Sequence, residues 1–141
     1  MRIMGIDYGD KRVGIAISDP FGWTAQGIET IEWNGHVAEK LINRIKELIM
    51  EYKIEKIVMG FPKNMNGTIG ERGQKTLEFI DILREHILGI EIICWDERLT
   101  TVSAKKVMIE MGTKKSKKKG LVDKIASTYI LQSYLDSISN K

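Results

Sequence analysis

The chain has 141 residues, 43% of them hydrophobic and 29% charged, a balance that fits one globular domain over 1–141 and excludes a disordered chain. Its single cysteine, Cys94, excludes an internal disulfide framework and any cysteine-built zinc site. Net charge is only +3, yet Arg98 to Lys124 carries nine basic side chains against Glu110 and Asp123, a local +7 that reads either as a grip for a polyanion or as a solvated lysine loop.

Arg2 to Asp7 and Arg12 to Ser18 read as strands of a hairpin turning at Tyr8-Gly9-Asp10-Lys11. In the second strand Val13, Ile15 and Ile17 alternate with Gly14 and Ala16, which makes one face bulky and the other small. Beyond Pro20 and Gly22, Ala25 to Ile31 fits a third strand of the same meander. Val37, Leu41, Ile45, Leu48, Ile49 and Tyr52 fall at helical spacing, and Lys56 to Gly60 is a short apolar run of the kind buried in a sheet. A loop rich in Gly and Asn, Phe61 to Gly70, precedes helix signals at Leu77, Ile80, Leu83 and Ile87. Glu91 to Trp95 is a further buried strand, Thr101 to Met111 a helix, Gly112 to Gly120 the basic loop, and Val122 to Ser137 a final helix. A meander followed by alternating helices and strands predicts an α/β fold, a mixed sheet with helices on both faces. The first carboxylate, Asp7, comes too early for a signal peptide, and no run approaches the ~18 apolar residues of a membrane span, so a soluble cytoplasmic protein without membrane contact is expected.

The acids are placed unusually. Asp7 ends an otherwise apolar strand, where an unpartnered carboxylate is costly to bury. Asp96 and Glu97 follow Ile92-Ile93-Cys94-Trp95 directly, and Asp123 opens the last helix with the small Ser127 one turn on. If the first strand lies beside the fourth at the centre of the sheet, Asp7 and Glu97 converge at the strand ends and the last helix can lay Asp123 over them. Three such carboxylates call for a cation, and an all-oxygen set suits Mg²⁺ or Mn²⁺. Structural alternatives stand beside this reading. Asp7 and Asp10 can serve the Gly9 turn, Asp123 can be a helix-initiating acid, and Asp96 can pair with Arg98. His36 and His86 read as solvated and Cys94 as core filling.

Four motifs in order, GIDYGDKRVGIAISD (5–19), MGFPKNMNGTIG (59–70), DERLTT (96–101) and KKGLVDKIAS (118–127), resemble the YqgF family, also called RuvX, over nearly the whole chain. That family is associated with maturation of the 5′ end of pre-16S rRNA and is similar to Holliday-junction resolvases. The resemblance implies a ribonuclease H-like fold with a five-stranded mixed sheet in the order 3-2-1-4-5. It also implies a two-metal-ion nuclease with catalytic, metal-binding carboxylates at Asp7, Glu97 and Asp123, and nucleic-acid contacts at Lys11, Arg12, Arg98 and the loop from Gly60 to Gly70. The lysines Lys114, Lys115, Lys117, Lys118 and Lys119 would hold flanking phosphates. Two departures are visible: Ser127 stands where relatives commonly have Ala, and Lys105-Lys106 where they often place an acid.

The expected partner is therefore nucleic acid, either structured RNA such as pre-16S rRNA on a ribosome precursor or branched DNA, met by a monomer or a homodimer. Asp-x-Gly followed by Arg-x-Gly also resembles the phosphate hairpin of actin-like ATPases, but 141 residues leave no room for their second domain. A basic RNA-binding or transcription-associated module of the same fold, without catalysis, is the other alternative.

Overall fold

The structure, a computed structural model, describes residues 1–33, 38–63, 66–97 and 121–139. Its strands are β1 (Arg2–Tyr8), β2 (Arg12–Ser18), β3 (Ala25–Glu32), β4 (Ile54–Phe61) and β5 (Glu91–Asp96), and its helices α1 (Ala38–Tyr52), α2 (Glu71–His86) and α3 (Leu121–Ser139). The sheet has five strands in the order β3-β2-β1-β4-β5, as the resemblance implies. The meander β1-β2-β3 is antiparallel, and β4 and β5 join parallel to β1 through helical crossovers. The expected helix at 101–111 and the loop at 112–120 lie outside the described residues.

Alternation along β2 sorts the two sides of the sheet. Val13, Ile15 and Ile17 face α1 and α2, where they join Met4, Ile6, Ile57 and Met59 from the neighbouring strands. From α1, Leu41, Ile42, Ile45 and Leu48 pack onto this side, and from α2, Phe79, Ile80 and Leu83. The other side presents Ile3, Ala16 and Val58 to Ile130, Leu131, Tyr134 and Leu135 of α3. Because Gly5, Gly14 and Ala16 carry little or no side chain, α3 comes down almost onto the strand backbones. A Cβ at Gly5 would lie 2.7 Å from Leu131 Cβ.

The second helix begins at Glu71, directly after the loop expected to end at Gly70. Its first turns carry no apolar period because Glu71, Arg72, Gln74 and Lys75 are exposed while the inward positions are Gly73 and Thr76. One expectation needs correction. Cys94 is exposed on the edge strand β5 and fills no core. Ser127, the small residue one turn on from Asp123, is fully buried, with its hydroxyl on the Lys124 carbonyl at 2.9 Å. Its small size serves the close approach of α3. His86 is exposed as expected, and no described helix is long and apolar enough to cross a membrane.

Candidate active site

Asp7 lies on the α3 side of the central strand, in phase with Ile3 and Gly5, near the C-terminal end of β1. A glycine flanks it on each side. Gly14 is its antiparallel partner on β2, and Gly60 of β4 comes one step beyond the Ile6–Met59 pair. Each glycine makes room for another acid. A Cβ at Gly14 would fall 2.1 Å from the carbonyl oxygen of Asp123 and 3.2 Å from its Cβ, so the first turn of α3 rests on the bare backbone beside Asp7. A Cβ at Gly60 would fall 2.9 Å from Glu97 Oε1, which places that carboxylate over the other flank. Glu97 follows β5 in phase with Ile93 and Trp95, both packed on the α3 side. The same alternation turns Asp96 to the opposite side.

The electrostatics agree with this geometry. Burial pushes the Asp7 carboxyl from its ordinary 3.8 up to about 7, with Glu97 and then Asp123 adding like-charge repulsion. Arg72, in the first turn of α2, acts in the opposite direction. Sequence reasoning missed Arg72, which stands in an exposed polar turn that carries no apolar period. Asp7 keeps partial solvent contact, so an aqueous cation can reach it.

Arg12 shares the α3 side of β2 with Gly14, and its Nε donates to Asp123 Oδ2 at 3.1 Å. Lys11 is exposed in the hairpin turn, its carbonyl accepting from the Trp33 amide at 3.0 Å. Asp10 is exposed and pairs with Lys75 at 3.7 Å, which sets it apart from the carboxylate group. Gly9 is a turn glycine, since a Cβ there would meet the Arg12 carbonyl at 2.6 Å. Tyr8 points to the other side of the sheet, stacked on Phe79 with ring centroids 4.3 Å apart. Arg98, Lys114, Lys115, Lys117, Lys118 and Lys119 lie outside the described residues.

The donor set suits a hard divalent ion: oxygen ligands only, an excess of negative charge, and glycine floors that keep side-chain bulk away from Glu97 and Asp123. Among the described residues, no three His, Cys, Asp or Glu side chains are gathered closely enough to hold one ion as they stand. A groove of about 690 Å³ between β3 and α1, lined by Glu29, Glu39 and Arg44 among others, lies apart from this cluster.

A family model described as RuvX, Holliday junction resolvase, matches residues 1–137. A protein of Acetivibrio thermocellus named "Putative pre-16S rRNA nuclease" is 63% identical over 137 residues, covering 97% of this chain and 96% of its own. A protein of Clostridium tetani with the same name is 55% identical over 141 residues, covering 100% of both. Among solved structures, T. thermophilus RuvC in complex with a Holliday junction substrate matches with a TM-score of 0.65 at 12% identity, over 99% of this chain and 97% of that one. The Fowlpox virus resolvase in complex with Holliday junction DNA matches with a TM-score of 0.56 at 17% identity, over 98% and 99%. At such identities the likeness carries the fold, which is ribonuclease H-like. With the family model matched from residue 1 to residue 137, this chain belongs to the RuvX family.

Proposed function

We propose that the chain is a divalent-metal-dependent nuclease that hydrolyses phosphodiester bonds in 5′-end processing of pre-16S rRNA. The observation that carries this reading is the convergence of acids on the central strand end: Asp123 over Gly14, Glu97 over Gly60, and Asp7 between those glycines. Family membership and the names of the close relatives support nucleic acid as the substrate class.

In this reading Asp7, Glu97 and Asp123 would together hold the divalent metal, with Asp7 between the other two. Mg²⁺ or Mn²⁺, when bound there in a two-ion arrangement, supplies a nucleophilic water and charge stabilisation for the leaving oxygen. The chain's own work is positioning. The carboxylates fix the reacting end of the sheet, Lys11 and Arg12 receive the phosphate backbone beside it, and Arg98, Lys114, Lys115, Lys117, Lys118 and Lys119 grip flanking phosphates. Such contacts set position and carry no base code, so selection falls on structure or strand ends. A second reading, resolution of four-way DNA junctions, is favoured by the family description and by the match to RuvC.

Cleavage of a labelled pre-16S 5′-end RNA and a four-way DNA junction, with Mg²⁺ or Mn²⁺, tests both. Asp7→Asn is expected to reduce cutting by at least about 10³-fold, several kcal/mol of transition-state stabilisation, with the fold intact. Preference for the RNA supports rRNA processing, and preference for the junction supports resolution. Retained turnover in the variant would remove Asp7 from the chemistry, while binding of either substrate without cutting by the wild type would favour a non-catalytic module.

A further inference from the structure

We infer that Arg12 is a stand-in cation for Asp123, surrendered to a substrate phosphate, so that Asp123 joins the metal site only when nucleic acid is bound. The inference deepens the proposed metal-dependent reading and rests on it.

The contact is built by two separate elements. Arg12 opens β2 on the same side as Gly14, and Gly14 is the floor on which the first turn of α3 sits. Strand phase and the bare glycine together bring Arg12 Nε to 3.1 Å from Asp123 Oδ2. Asp123 is thereby held by a guanidinium beside the other two acids.

The pair is suited to exchange. Its side chains are 38% and 22% exposed, and a partly hydrated ion pair of this kind is weak and readily exchanged. A phosphate offers the guanidinium a two-pronged acceptor, a geometry arginine satisfies better than any other cationic side chain. A divalent ion in turn offers Asp123 a stronger counter-charge than the arginine it gives up. Each exchange makes the other easier. Metal and phosphate must therefore raise one another's affinity by the same factor, through Arg12. Arg12 is thus a positioning residue, acting on the metal site through Asp123.

Calorimetric titration of Mn²⁺ into the full chain reads this without any cleavage. In the absence of nucleic acid, Arg12→Gln is expected to bind Mn²⁺ up to about fivefold more tightly than wild type, the gain that releasing one weak ion pair can supply. Arg12→Lys, which keeps the charge, should stay near wild type, and Arg12→Gln combined with Asp123→Asn should lose the gain. Arg12→Met serves as the neutral variant if Arg12→Gln does not fold. As the reciprocal check, Ca²⁺ should tighten binding of a labelled RNA oligonucleotide to wild type more than to the neutral variant. Mn²⁺ affinity that needs Asp7 but is unchanged or weakened in a folded neutral variant overturns this inference and leaves the nuclease reading standing. No Mn²⁺ binding by wild type or any variant overturns both.

Discussion

The two sides of the sheet are built in opposite ways. Toward α1 and α2 the strands present Met4, Ile6, Val13, Ile15, Ile57 and Met59, large side chains that fill space and bury apolar surface. Toward α3 Ile3 and Val58 still pack on the helix, but around Asp7 the strands present Gly5, Gly14, Ala16 and Gly60, which bury little of their own and let a helix and two acids approach the backbone. One side supplies stability in bulk. The other uses closeness of approach, and collects like charges that oppose the fold at neutral pH.

That contrast can be broken deliberately. Shortening a large side chain on the packed side, Leu41→Ala or Ile45→Ala, should cost about 2–5 kcal/mol in urea unfolding while leaving metal-dependent cleavage per folded molecule near wild type. Gly14→Ala should cost less, about 1–3 kcal/mol, since the added methyl must push the Asp123 backbone away. Its effect on Mn²⁺ affinity and cleavage should nonetheless far exceed that of Leu41→Ala. If the two variants lose activity only in proportion to stability, the sides do not differ in function. Smaller again is the change expected from Lys117, Lys118 and Lys119 together to Ala: the salt slope of RNA binding should flatten by about one unit for each phosphate no longer neutralised. An unchanged slope would make that segment a solvated loop.

The fold is most legible in the sequence where alternation is strict. Val13-Gly14-Ile15-Ala16-Ile17 spells out a bulky and a small side of β2, and the hairpin, the meander and a buried strand over Lys56 to Gly60, within the observed β4, all appear. The sheet order rests on the four motifs, since strand neighbours separated by a helix leave no local signal in composition. Asp7 stands out because a carboxylate in an apolar strand has few structural excuses. The place of Arg72 is illegible for one reason: exposed polar turns whose inward residues are Gly73 and Thr76 carry no apolar period. Cys94 sits in a run that looks covered on both sides, but β5 is an edge and leaves it exposed. The Arg12–Asp123 pair spans 111 positions and follows from tertiary packing alone.

On the proposed reading, Asp7 is held among like charges at a cost to the fold. The folded chain keeps the Asp7 proton up to about pH 7, whereas its ordinary value is 3.8. Stability contributed by this group is therefore full below about pH 4 and falls as pH rises toward 7. Urea unfolding of wild type and Asp7→Asn at pH 5 and pH 8, in EDTA and in Mg²⁺, measures this directly. In EDTA the variant should be more stable at pH 8 by about 1–3 kcal/mol, with the gap clearly smaller at pH 5 and narrowed by Mg²⁺ at pH 8. A variant no more stable than wild type at pH 8, or a gap that ignores both pH and Mg²⁺, would contradict the account.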